Sequence, residues 1–230
     1  MCFTKEMSFG LTALGLGVTV YLYLRGDPWS VYIPILYFTF MELYQYISFY
    51  LMDKETEKNK KETDKYLYIV TVLTFIHICF QPLFANMWFK NYIPKSNHKT
   101  VQFLLVLCLI AGLYMFTRFG EFQKKNTIRC NKNSEEMCSA TTIIEKGKMH
   151  LKYLFDMRAP GYVTPSIFIH FFLIFIPPLI LGVRIIPYLC VLFGILLAYI
   201  ITSERDEIPA TWCTFSVPTL LYSIFATAIR

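Results

Sequence analysis

Long apolar runs separated by short polar connectors dominate the chain. A membrane-spanning helix needs about 20 predominantly apolar residues. Seven stretches meet or approach that length, at 7–24, 29–52, 66–89, 100–118, 163–183, 186–202 and 208–228. The first follows "MCFTKE" and has the character of a signal-peptide core. It is long, however, and no small-x-small cleavage site precedes "RGDPW", so it is expected to stay as a helix. Only "RIIP" separates the fifth run from the sixth, which requires a tight hairpin, and Pro187 then fits a first helical turn. The pattern predicts an all-α fold: a polytopic membrane protein, residues 1–230 forming one transmembrane domain as a bundle of seven transmembrane helices.

The connectors are short except for two. "DKETEKNKKETDK" (53–65) is a mixed-charge run that reads as a solvated loop. Residues 119–162 form the one long polar loop. Within it, "TTIIEKGKMHLKYLF" mixes apolar residues with Lys146, Lys148 and Lys152, so a short helix lying on the membrane surface is expected, with Gly147 weakening it.

Composition agrees with the pattern. Hydrophobic residues make up 55% of the chain, above the roughly 45–50% of soluble domains. Charged residues are 17%, below the usual ~25%, and cluster in the connectors. The net charge of +6 therefore reads as loop charge beside lipid headgroups. A nucleic-acid footprint would need a basic face on a folded domain, and none is visible. The expected partner is the lipid bilayer.

Lysine and arginine are distributed unequally. The N-terminus and the second, fourth and sixth connectors carry 16, against 6 on the other side. The positive-inside rule then puts the N-terminus in the cytosol and the C-terminus outside. Cys130 and Cys138 share the polar stretch "RCNKNSEEMC". They pair if that loop meets an oxidising compartment, and the cytosolic orientation predicts two reduced thiols instead.

A few groups stand out because hydrocarbon gives them no partner: Glu42 and Gln45 in "FMELYQY", His77 and Gln81 in "FIHICFQP", and His170 in "IFIHFF". An ionisable group at the bilayer centre costs about 2.5–3.5 kcal/mol on insertion scales, so it normally faces the bundle interior. Glu42 with Gln45 (i, i+3) and His77 with Gln81 (i, i+4) each share one helix face. At about 1.5 Å per residue, Glu42 and His77 lie roughly 15 Å from the cytosolic end of their spans, and Gln45, His170 and Cys213 roughly 8–10 Å. Four helices thus place polar groups in one layer, with Glu42 the expected partner of the His77 imidazole. Pro82, Pro177, Pro178 and Pro218 interrupt the same helices, as in helices that line a cavity. In "SERDEIPATWC", Asp206 or Glu207 could cap the last helix ahead of Pro209. Alternatively, Glu207, Trp212 and Cys213 close the cytosolic mouth of a cavity that Gln45 and Gln81 also line.

Three functional readings follow. In the first, the chain is an intramembrane enzyme acting on a lipid or other apolar substrate. Glu42, His77 and His170 would be its catalytic set, working as general acid and base or as ligands of a metal, with zinc the expected ion. In the second, the same residues form a proton or ion relay in a transporter, channel or receptor. In the third, they are helix–helix glue in a structural membrane factor, worth about 0.6 kcal/mol each. A retinal Schiff base is not expected, since the last span has no lysine.

The helix count and the His/Glu inventory resemble, at the level of architecture, the alkaline ceramidase and adiponectin receptor superfamily. Its three-histidine arrangement is not matched, because His98 and His150 fall in connectors. None of its catalytic residues is carried over. "FMELYQ", "IHICFQP", "GKMHL", "RAPGYVTPS" and "DEIPATWC", in this order, resemble an uncharacterised multi-pass membrane family of large DNA viruses and algae. That resemblance covers nearly the whole chain and implies a membrane protein of an infected or algal cell, with no assigned activity.

Overall fold

A computed structural model describes residues 4–57, 59–120, 128–131, 137–159, 167–202, 204–214 and 217–227. The apolar runs become helices: α1 (Lys5–Leu24), α2 (Trp29–Asp53), α3 (Lys60–Phe89), α4 (His98–Phe116), α5 (Ile167–Ile180) and α6 (Ile185–Ile201). In the last run, helix is described over α7 (Ile208–Thr214) and α8 (Val217–Thr227), and residues 215–216 of the span expected over 208–228 lie outside the described residues.

By length and composition, three helical stretches can cross a membrane: Lys5–Leu24, Lys60–Tyr92 and Lys95–Phe116. The outward faces of α1 and α4 are correspondingly apolar, with Phe9, Leu14, Val20, Phe103, Val106 and Leu113 all exposed. Such bands suit lipid better than water. The α2 helix, at 25 residues, is long enough but contains Glu42 and Gln45. The described part of α5 and the whole of α6 are shorter apolar helices.

Small residues and proline define the turns and close approaches. Gly26 adopts φ +81° after α1, which lets the chain reverse into α2. Gly15 leaves no room for a Cβ beside the Thr39 side chain, so α1 and α2 pack closely there. The central helix is α3, which packs against α2, α4, α5 and the sheet described next. Asn86 ties α3 to α5 by donating to the Leu173 carbonyl at 2.9 Å. Within the helices, Thr12, Thr19, Thr39 and Thr71 donate to the carbonyls four residues back, which satisfies their hydroxyls without a second helix.

The long loop departs from expectation. In place of a surface helix, it holds a three-stranded sheet of β1 (Cys138–Ser139), β2 (Ile143–Lys146) and β3 (Leu151–Asp156), in the order β1-β3-β2. The β2 and β3 strands form an antiparallel hairpin, with Ile143 opposite Leu154 and Lys146 opposite Leu151, and β1 runs parallel to β3. Consecutive β-branched and aromatic residues favour strands, and Gly147 falls at the turn rather than inside a helix. The fold is therefore mainly helical with a small sheet, not all-α.

The sheet closes one end of the bundle. Leu151, Tyr153 and Phe155 of β3 are fully buried and join a core with Met41, Phe75, Cys79 and Met115. Phe75 meets Phe155 at 4.9 Å and Phe119 at 5.2 Å between ring centroids. Arg118, buried at the end of α4, donates to the Arg158 carbonyl at 3.0 and 2.8 Å. Asp53, at the end of α2, bridges Lys5 at 3.1 Å and Lys146 at 2.8 Å. The start of α1, the end of α2 and the sheet thus share one face. Cys130 and Cys138 on this face form a disulfide with a Cα–Cα distance of 6.0 Å, in place of the two reduced thiols that a cytosolic orientation predicts.

Candidate functional site

The polar residues inside the helices form three separate groupings around one small cavity. The first lies where α1, α2, α7 and β3 meet. Gln45 accepts from the Ser8 hydroxyl at 3.4 Å and donates to the Ala210 carbonyl at 3.3 Å. Glu42, one turn away and buried, makes no hydrogen bond of good geometry through either carboxyl oxygen among the described residues, with the Ser8 hydroxyl nearby as its polar neighbour. Cys213 and the Tyr153 ring stand within electrostatic reach of it. Burial pushes the Tyr153 phenol well above its usual value; Cys213 and Glu42 push it further, and Gln45 opposes them.

The second grouping surrounds His77. Its ring stacks on Tyr37 at 4.0 Å and 11°, and meets Phe38 and Tyr44 edge-on at 6.3 and 6.1 Å. The Tyr37 hydroxyl donates to the His77 backbone carbonyl. His77 Nε2 has no partner among the described residues. The expected His77–Glu42 hydrogen bond is therefore not formed, because the aromatic side chains of α2 occupy the space around the ring. The third grouping is a direct pair: His170 Nε2 lies 3.2 Å from Gln81 Oε1, linking α5 to α3.

Between these groupings lies a cavity of about 50 Å³, whose wall includes Phe38, Gln81, Trp88, Cys190, Trp212 and Cys213. Drug-sized ligands need roughly 300–1,000 Å³, so this space suits the tip of an apolar chain rather than a whole small molecule. Of the residues expected to line a cavity, Gln81, Trp212 and Cys213 stand in this wall, while Gln45 and Glu207 do not. Glu42, His77 and His170 stand one layer behind, beside Cys213, Phe38 and Gln81 respectively. Among the described residues, no three His, Cys, Asp or Glu side chains stand together as a metal-binding group. Glu42, His77 and His170 do not form one.

Glu207 has a different role from either one expected of it. Its carboxylate accepts the backbone N–H groups of Lys148 at 2.6 Å, Met149 at 2.9 Å and His150 at 3.1 Å, clamping the β2–β3 turn. Neighbouring Asp206 accepts from the Met137 N–H at 3.0 Å. Both acids hold the sheet face instead of capping α7 or lining the cavity. Adjacent to the clamp, burial pushes His150 down to about 3, while its Nδ1 accepts from Leu151 N–H at 2.8 Å and its ring stacks on Phe49.

Ser8, Tyr37 and Tyr153 were not singled out from the sequence. For Ser8 a signal exists, since Ser8, Thr12, Gly15 and Thr19 follow helical spacing and make one small polar stripe on α1. Tyr153 is a site residue only because β3 folds under the helices, which no local pattern announces.

A mainly helical chain with membrane-length apolar helices and a buried polar layer defines the class: a helical membrane-type protein capped by a small sheet. It belongs to a family of unknown function, DUF5765, which it matches over residues 6–230. No curated protein and no solved structure matches the chain.

Proposed function

We propose that the protein is an intramembrane enzyme acting on a lipid or another apolar substrate, whose chain tip enters the cavity beside Cys213. The observation that carries this reading is the buried Glu42, with neither oxygen in a well-formed hydrogen bond among the described residues, within electrostatic reach of a thiol that forms part of an apolar wall. A carboxyl group in such a place is costly to bury, and its retention points to use rather than packing. In this reading Glu42 accepts and returns a proton. Gln81 and Cys213 touch the substrate, while His170 and His77 position Gln81 and the α2 aromatic wall.

The test is turnover of defined lipids in nanodiscs, followed by mass spectrometry, for wild type and Glu42→Gln. Product formation by wild type that is lost in Glu42→Gln supports the enzyme. Wild type that leaves every lipid class unchanged sinks it.

A second reading, a proton relay in a transporter or receptor, draws on a separate observation. Glu42 and His77 Nε2 sit on packed neighbouring helices, α2 and α3, and neither makes a well-formed hydrogen bond among the described residues. Proton flux in liposomes under a pH gradient distinguishes it, since the enzyme reading predicts none.

In this proposal all the helices cross the membrane, with α7 and α8 together making up the seventh span. The lysine and arginine distribution supports a cytosolic sheet face, and the Cys130–Cys138 bond is the observation against it, since disulfides are rare in the cytosol. The resemblance to a family of large DNA viruses and algae supports a membrane of an infected or algal cell as the location.

A further inference from the structure

On the face opposite the sheet, the α3–α4 and α5–α6 connections enclose an open cavity of about 480 Å³, and nothing in the reading above uses it. The two connections are joined to each other. Arg184 N–H donates to the Tyr92 carbonyl at 3.0 Å, and Asn97 Nδ2 donates to the Leu181 carbonyl at 3.0 Å. Gly182 takes φ +75°, a conformation that an L side chain would strain, so the second connection folds back against the first.

Lys95, His98 and Arg184 line this cavity, with Asn91 and backbone beside them. Among the described residues no acidic side chain lines it, and neither Lys95 nor Arg184 makes an ion pair with one. Two cationic side chains, Lys95 and Arg184, around one concavity without a counter-charge set up a positive potential that an anion relieves. The first residues of α4 and α6 also adjoin the cavity, so their dipoles act in the same sense, secondary to the side chains.

The surroundings narrow the chemistry. Ile180, Ile185 and Ile186 next to the cavity are apolar and well exposed. That places the cavity where apolar helix surface gives way to polar connections. Arginine and lysine at such a level match phosphate oxygens, arginine by its fork and lysine as a point charge.

We propose that this cavity binds an anionic phosphate group through Arg184 and Lys95, carried by a phospholipid headgroup or present as free phosphate. The site is independent of the Glu42 reading, which uses residues in the middle of the bundle and none of those lining this cavity, so either can fail alone.

The test uses the full chain in neutral detergent, titrated with dioctanoyl phosphatidic acid, dioctanoyl phosphatidylcholine and inorganic phosphate, and read by native mass spectrometry. Wild type is expected to bind phosphatidic acid at least about tenfold more tightly than the K95Q/R184Q double variant, the scale of one charge-assisted hydrogen bond. R184K, which keeps the charge, is expected to retain most of that binding. Phosphatidylcholine binding is expected to be the same for wild type and variants. Displacement of phosphatidic acid by inorganic phosphate assigns the site to the phosphate alone, and failure to displace assigns it to the lipid headgroup. Equal phosphatidic acid binding by wild type and a K95Q/R184Q variant with an unchanged unfolding midpoint overturns the proposal.

Discussion

The carboxylate of Glu207 lies directly against Gly147, so that a Cβ at position 147 would have no room beside it. The contact ties the loop before α7 to the turn of the β2–β3 hairpin, and three backbone N–H groups of that turn end on the same carboxylate. Replacing Glu207 by Ala leaves those donors without an acceptor. We predict a loss of stability on the order of 3 kcal/mol, with Glu207→Gln costing less because it keeps one acceptor oxygen. Gly147→Ala is predicted to destabilise as well, by displacing the carboxylate. Thermal unfolding in detergent measures all three, and a Glu207→Ala midpoint equal to wild type would show that the clamp contributes nothing.

Stability is predicted to fall on mild acidification, with His150 as a cause. Burial holds its folded-state value at about 3, below the roughly 6.5 of an unfolded chain. Between those values the unfolded state binds more protons, so stability is full above pH 6.5 and declines as pH drops towards 3. The slope from this group approaches about 1.4 kcal/mol per pH unit. Over pH 6.5 to 5, His150→Gln is predicted to flatten the profile of denaturation midpoint against pH. An unchanged slope in that variant would assign the effect elsewhere.

Cys130 and Cys138 are predicted to resist maleimide until a reductant is added. The cross-link closes a short loop, so reduction should lower stability by about 2–3 kcal/mol on the chain-entropy model. Labelling with an impermeant maleimide after reduction, on sealed vesicles of known orientation, also reports which side the sheet faces.

Glu42 and Gln81 are predicted to separate function from folding. With no well-formed hydrogen bond to lose among the described residues, and an amide oxygen still able to face the Ser8 hydroxyl, Glu42→Gln should leave the unfolding midpoint unchanged or higher while abolishing lipid turnover. Gln81→Leu removes the partner of His170 and should cost about 1–3 kcal/mol. Destabilisation by Glu42→Gln comparable to Gln81→Leu would mean that Glu42 has a structural partner.

The helices were legible in the sequence because each is a local property: a run of apolar residues bounded by charge, proline or glycine specifies its own ends. Burial of Glu42, Gln45, His77, Gln81 and His170 was legible for a related reason, since lipid offers such groups nothing and the bundle interior is their alternative. Which groups meet was not local. His77 is surrounded by α2 aromatics rather than paired with Glu42, and His170 finds Gln81, because helix rotation and packing choose partners. The sheet was missed for the same reason. Its strands become stable only when Tyr153 and Phe155 pack under the helices and Glu207, some 60 residues away in sequence, satisfies the turn. Local pattern alone specifies where the chain is apolar and which polar groups must be sheltered. Their partners are chosen by packing, because contacts between distant segments carry no signature in either segment alone.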